Sequence, residues 1–247
     1  MSRSTTDISV AAATAFAMTV AAGCLFLKLA RHPESQIFGR TIVAGNDSNE
    51  FCLTFDDGPT ESATLPLLEV LAKHAVRATF FMVGRNVKRS PKVARAVLDA
   101  GHLIGNHTMN HAKLTRCSPV EIRTELSDCS RIIEDTLGLE VRYFRPPHGM
   151  RNPAVLRTAS DLGLLPVMWN VSSNDWSPIG SEAIWQSTAR EIAHNRRKGR
   201  GSNILLHDCE QSARARETAS TAVATDALLK GYAADSLVRF VTPEVWS

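Results

Sequence analysis

Two adjacent carboxylates, Asp56 and Asp57, end an apolar run in Thr54-Phe55-Asp56-Asp57-Gly58-Pro59, and two imidazoles, His107 and His111, follow downstream. Two acids and two imidazoles can bind a divalent cation and still leave one carboxylate free to move a proton. That is the minimum equipment for metal-assisted hydrolysis. Histidines four apart face the same way on a helical turn, the spacing that chelates one ion. Neighbouring strand residues point to opposite faces, so Asp56 and Asp57 serve one site only if the strand ends there and the backbone turns. Gly58-Pro59 supplies such a turn. Two carboxylates this close repel, and a bound cation relieves the repulsion. The competing interpretation is a plain Asp-Gly turn with one acid capping the next helix, and this string alone does not choose between them.

Other polar groups close apolar runs further along: Arg145-Pro146-Pro147-His148-Gly149, Asn174-Asp175-Trp176 and Leu205-Leu206-His207-Asp208. Taken singly, a surface ion pair, a packing aromatic and a capped loop account for them. Taken together they put competent groups at the carboxyl ends of strands, where α/β barrels build active sites. His32, His74, His102 and His194 lack such company and read as structural.

The elements that must position these groups alternate. Apolar β-rich runs predict strands at 51–56, 78–84, 103–106, 142–146, 165–171, 203–207 and 237–242. Amphipathic windows predict helices at 62–74, 91–100, 119–137, 153–162, 181–198 and 214–230. Ser118-Pro119-Val120-Glu121 is a capping box with Pro at the first helical position, Ser90-Pro91 and Asn152-Pro153 repeat cap-then-Pro, and Gly101, Gly138, Gly163 and Gly199 fit helix stops. Strand–helix alternation implies a parallel sheet, open or closed into a barrel. No Gly-rich phosphate loop follows the first strand, so a nucleotide fold has no support.

At 247 residues, 44% hydrophobic and 21% charged, the chain is long enough for one sizeable domain and shows neither disorder nor repeats. The net charge of +3 is small, and the densest basic stretch, Arg196-Arg197-Lys198 with Arg200, sits where cations complement a helix end. No nucleic-acid partner is expected. Five cysteines without CxxC spacing argue against a zinc ribbon and against a full disulfide framework. Cys129 shares an apolar helical face with Ile122, Leu126 and Ile133 and is expected in the core, while a Cys117–Cys209 pairing stays open. Ile8 to Leu27 carries no charge and is flanked by Arg3, Lys28 and Arg31, which suits an uncleaved membrane anchor, with a cleaved signal as the competitor. The expected organisation is an anchor or signal at 1–31, a linker at 32–50 and a catalytic domain at 51–247.

With those motifs in order, TFDDGP at 54–59, HTMNH at 107–111, RPPHG at 145–149, DW at 175–176 and LLH at 205–207, the chain resembles the polysaccharide deacetylases, the NodB-like enzymes of carbohydrate esterase family four. The resemblance covers Phe51 to about Val245. It implies an α/β fold, a deformed (β/α)7-type barrel behind the N-terminal apolar segment. It implies removal of N-acetyl groups from N-acetylglucosamine-containing glycan, peptidoglycan or a chitin-like oligosaccharide, by a metal-bound water. The metal would be zinc, with cobalt as the alternative, and the location extracytoplasmic, membrane-anchored or secreted. Carried over by motif, Asp57, His107 and His111 would be the metal ligands, Asp56 the general base and His207 the general acid. Arg145 would pair with Asp56, Asp175 would orient His207 and raise its pKa, and Leu205 and Trp176 would wall the acetyl pocket. His148 stands where the family usually has Tyr, so its backbone N–H could still serve the oxyanion while the aromatic grip on substrate changes. The alternatives are a carbohydrate-binding relative without turnover, and an amidohydrolase or deformylase of a different small amide. Oligomeric state is not legible.

Overall fold

A computed structural model of the protein describes Ala30 and residues 32–177, 179–208 and 218–247. Its strands are β1 (Glu50–Asp56), β2 (Thr79–Met82), β3 (Leu103–Asn106), β4 (Tyr143–Phe144), β5 (Leu165–Pro166), β6 (Val171–Ser172), β7 (Ser202–His207) and β8 (Arg239–Phe240). Its helices are α1 (Glu61–Lys73), α2 (Gly84–Arg89), α3 (Pro91–Asp99), α4 (Pro119–Leu137), α5 (Pro153–Asp161), α6 (Ser181–Arg197) and α7 (Thr218–Tyr232). The strands form one curled sheet in the order β5-β4-β3-β2-β1-β7-β6, with β8 beside the start of β1, and every pairing is parallel.

Every residue of β1 is buried, as expected of a parallel strand covered on both faces. Phe55 and Phe80 stack at 5.1 Å between ring centroids, and Phe51 meets Tyr232 edge-on at 4.9 Å. On α4, Ile122, Leu126, Cys129 and Ile133 are all buried, so the helical stripe read from sequence is a core face. Ser118 and Glu121 complete the capping box, and Gly138 ends α4 in the left-handed region at φ 72°, which glycine adopts at little cost. Asn152 caps α5 by accepting from the Val155 N–H, whereas Ser90 makes no side-chain cap to α3.

Three expectations change. The strand predicted at 165–171 is two short ones: β5 pairs with β4 and β6 with β7, so both ends of the sheet belong to one segment. Between them the Val167 and Met168 carbonyls accept from the Arg145 side chain at 3.2 and 3.0 Å instead of from a neighbouring strand's backbone. The strand predicted at 78–84 stops at Met82 and gives way to α2, too short to show a helical period in sequence. Residues 32–50, expected as a linker, pack on the domain: Ile42 bridges Val167, and Arg151 donates to the His32, Pro33 and Ser35 carbonyls.

Among the described residues Cys52, Cys117 and Cys129 are free thiols, and no helix is long and apolar enough to cross a membrane. Ile8 to Leu27 and Cys209, and with them the anchor and the Cys117–Cys209 pairing, lie outside the described residues.

Candidate active site

The chemistry gathers at the carboxyl ends of the strands. In the β1–β7 ladder Asp56 lies opposite His207 and Thr54 opposite Leu205, so the strand period of two puts all four on one face. At Asp57 the backbone leaves the strand with φ 82° and turns the second carboxylate toward the end of β3. Asp57 N–H donates to the Phe81 carbonyl at 3.2 Å, and its carbonyl accepts from Asn86 Nδ2 on α2 at 2.7 Å.

His107 follows β3 directly, its N–H donating to the Met82 carbonyl at 2.9 Å. The expected helical turn across 107–111 is absent. The imidazoles converge instead through a loop in which Thr108 and His111 take φ values of 67° and 58°. Asn106 holds that loop from a buried position, accepting from the Thr108 N–H at 2.8 Å and donating to the Leu126 carbonyl and the Ser130 hydroxyl. Tertiary contacts, not helix geometry, therefore bring the two imidazoles together here.

The result is a three-residue donor set. Asp57 Oδ1 lies 3.3 Å from His107 Nε2 and 3.1 Å from His111 Nε2. One ligand atom from each of the three lies within 4.8 Å of the others. Asp57 Oδ1 is buried yet has no hydrogen bond of acceptable geometry. Burial would raise the Asp57 pKa, but the imidazoles of His107 and His111 hold it well below the usual carboxylate range. Burial disfavours the His107 imidazolium, and the facing Asp56 and Asp57 charges outweigh it and raise its pKa. His107 Nδ1 lies 2.7 Å from the Arg145 carbonyl, which accepts the Nδ1–H and leaves the Nε2 lone pair facing the site. An orphaned buried carboxylate oxygen facing two imidazole nitrogens is the arrangement a borderline divalent cation would satisfy, and these residues fit one.

Asp56 lives in different surroundings. Its Oδ1 accepts from Arg145 Nη1 at 2.9 Å, and its Oδ2 is 3.7 Å from His107 Nε2, facing the donor set. Arg145 has no exposed surface and spends its other donors on Thr54 Oγ1 at 2.6 Å and on the carbonyls of Val167 and Met168. Its guanidinium covers the Phe81 ring at 4.3 Å. Removing either partner of such a buried pair costs about 3–5 kcal/mol.

Across the mouth, His207 Nδ1 lies 2.8 Å from Asp175 Oδ1, and the His207 N–H donates to Asp175 Oδ2 at the same distance. Thr221 donates to that Oδ2 as well, at 3.1 Å. Burial opposes the imidazolium, but the Asp175 carboxylate, aided by Asp57 and Asp56, overcomes this and raises the His207 pKa to about 9. Trp176, 56% exposed, sets its ring edge-on to His207 at 5.3 Å, while Leu205 is buried in β7. His148 occupies a 3₁₀ turn at φ 57°, its ring 4.7 Å from that of His111, and burial followed by the His111 charge lowers its pKa.

The acids and imidazoles singled out by motif, with Arg145 and Trp176, thus lie close together at the carboxyl ends of the strands. Sequence reading passed over Asp208, a buried carboxylate that accepts from the Gly58 N–H at 2.9 Å and the Thr64 hydroxyl at 2.7 Å. Burial pushes its pKa up to about 7 against those two hydrogen bonds, with help from Asp57 and Asp56. Its one signal was adjacency to His207. Asn106, which ends an apolar run, and Asn86, in a basic stretch, hold the turns at 107–111 and at Asp57, and neither gave a signal of that role.

The fold and site are those of a parallel-barrel hydrolase with a place for a divalent cation. The chain belongs to the polysaccharide deacetylase family, whose model matches residues 44–167. It is 38% identical over 157 residues to a chitooligosaccharide deacetylase of Bradyrhizobium sp. (strain ANU 289), covering 63% of this chain and 69% of that one. It is 36% identical over 165 residues to a peptidoglycan-N-acetylglucosamine deacetylase of Bacillus cereus, covering 66% and 74%. A solved carbohydrate esterase family four pseudoenzyme from Bacillus anthracis matches with TM-score 0.70 and 29% identity, over 80% of this chain and 65% of that one.

Proposed function

We propose that the chain is a metal-dependent N-deacetylase acting on N-acetylglucosamine-containing glycan, a chitin-like oligosaccharide or peptidoglycan. The observation that carries this reading is the division of labour in one mouth: an Asp57–His107–His111 donor set, an Arg145-paired Asp56 and an Asp175-paired His207. Asp57 Oδ1 and the Nε2 atoms of His107 and His111 would hold zinc, or cobalt in its place. When bound, the ion supplies positive charge that acidifies water and stabilises a developing oxyanion.

The chain's own groups do the rest. Asp56 Oδ2, turned toward the donor set while Oδ1 is fixed by Arg145, is placed to take a proton from the attacking water. His207, with Nδ1 committed to Asp175, presents Nε2–H to the departing sugar nitrogen. An amide nitrogen leaves poorly without that proton, so His207 governs turnover more than binding. The backbone N–H of His148 serves the oxyanion, and Trp176 and Leu205 wall the acetyl methyl. Acetate and a free amino sugar result. The action of the relatives on chitooligosaccharide and peptidoglycan supports an extracytoplasmic location, with residues 1–31 as anchor or signal.

The test is acetate release, with formate assayed in parallel, from N-acetylglucosamine oligomers and from peptidoglycan by the purified protein with added zinc or cobalt. Release abolished by a chelator is the expected result, and no acetate from any of these substrates sinks the reading. The match to a pseudoenzyme favours one second reading, a glycan binder without turnover. Retained Asp56, Arg145 and His207 stand against it. Undiminished glycan binding with no acetate release, even with metal restored, would establish it.

A further inference from the structure

We infer that Asp208 is a positioning residue that sets the Asp57 carboxylate into the donor set and fixes its separation from His207. The inference rests on the reading of Asp57, His107 and His111 as metal ligands. A strand carried straight through Asp56 and Asp57 would send their side chains to opposite faces, and the left-handed backbone at Asp57 prevents that. A non-glycine residue takes such a conformation only when its surroundings impose it.

Asp208 grips both sides of this one residue. Its own N–H donates to the Asp56 carbonyl at 3.0 Å, and its Oδ1 accepts from the Gly58 N–H at 2.9 Å. The peptides before and after Asp57 are thus both tied to the end of β7. The approach is close enough that a Cβ on Gly58 would run into the Asp208 carboxylate. Oδ2 is anchored in turn by the Thr64 hydroxyl on α1, and the Asp208 carbonyl accepts from Thr60 Oγ1 at 3.1 Å. Asp208 is 1% exposed and follows His207 in the chain, so one rigid turn carries the proton donor and locks the ligand opposite. Groups that orient a ligand typically change metal affinity about 10–100-fold when lost.

The experiment measures Co(II) affinity of the full chain by competition with a chelator, beside kcat and KM at saturating Co(II) and the thermal melt without metal. Asp208→Ala is expected to weaken Co(II) binding about 10–100-fold and to lower kcat more than KM, while Asp208→Asn, which keeps an acceptor for Gly58 N–H, stays within about 3-fold of wild type. Thr64→Val removes the Oδ2 anchor, together with the bond Thr64 Oγ1 accepts from the Thr60 N–H, and is expected to weaken Co(II) binding by a smaller factor, which decides the matter if Asp208→Ala does not fold. Folded variants that melt lower but bind Co(II) as wild type does would show a merely structural role and overturn the inference. Failure of the wild-type chain to bind Co(II) would instead overturn the metal-site reading, and this inference with it.

Discussion

At the scale of single residues, two adjacent carboxylates differ because their neighbours differ. Asp57 faces imidazoles and Asp56 faces a guanidinium, so substitutions separate them. Asp57→Ala and His107→Ala are expected to abolish stoichiometric zinc binding, measured by metal analysis after gel filtration. Asp56→Asn should retain the metal and lose activity by about 10²–10⁴-fold, the usual weight of a general base; wild-type turnover in that variant would refute its role. His207 gives a pH signature. Its pKa is raised from 6.5 to about 9, so the stability it contributes is fully present below 6.5 and is lost as pH rises through about 9. Activity that needs its proton follows the same direction, with an alkaline limb near 9 in the kcat profile. Asp175→Asn removes the partner that raises this pKa and should move the limb down in pH; an unmoved limb would rule out His207 as the acid. These residues were legible because their types are chemically distinctive. Asp208 and Asn106 were not, because an orienting group looks like any buried polar residue until its partners are known.

At the scale of elements, sequence reading succeeds where local chemistry decides. The α4 boundaries follow from a capping box and a left-handed Gly138. Ser118→Ala is expected to cost about 1 kcal/mol through the lost cap. In a chain of this size that is a fall of roughly 2–4 °C in melting temperature, with acetate release unchanged. Local reading falters where distant groups decide. The 165–171 run looks like one strand, but Arg145 and Asn203 claim its central carbonyls from outside, Asn203 Nδ2 reaching Met168 at 2.8 Å. The 107–111 imidazoles look like a helical pair, but Asn106, tied to Leu126 and Ser130 on α4, shapes their turn, and Glu125 on α4 adds bonds to the Asn110 backbone and side-chain amide.

At the scale of the whole molecule, the segment before β1 belongs to the folded domain. Arg151, 4% exposed, donates to the Gly149 carbonyl beside His148 and to three carbonyls of residues 32–35, tying the segment to the mouth. A chain starting at 37 should be less stable than one starting at 32 by about 1–3 kcal/mol, because a buried donor loses its acceptors. Thermal melts of the two, repeated with Arg151→Met, check this, since the substitution should shrink the difference. The sequence by itself determined the strand–helix alternation, the caps and the residues that could do chemistry, since each follows from side-chain type and local spacing. Only the tertiary structure decided how the 107–111 turn is shaped, that one segment supplies both ends of the sheet, and that Asp208 reaches Gly58. Those outcomes depend on hydrogen bonds between groups far apart in the chain, and no local pattern records them.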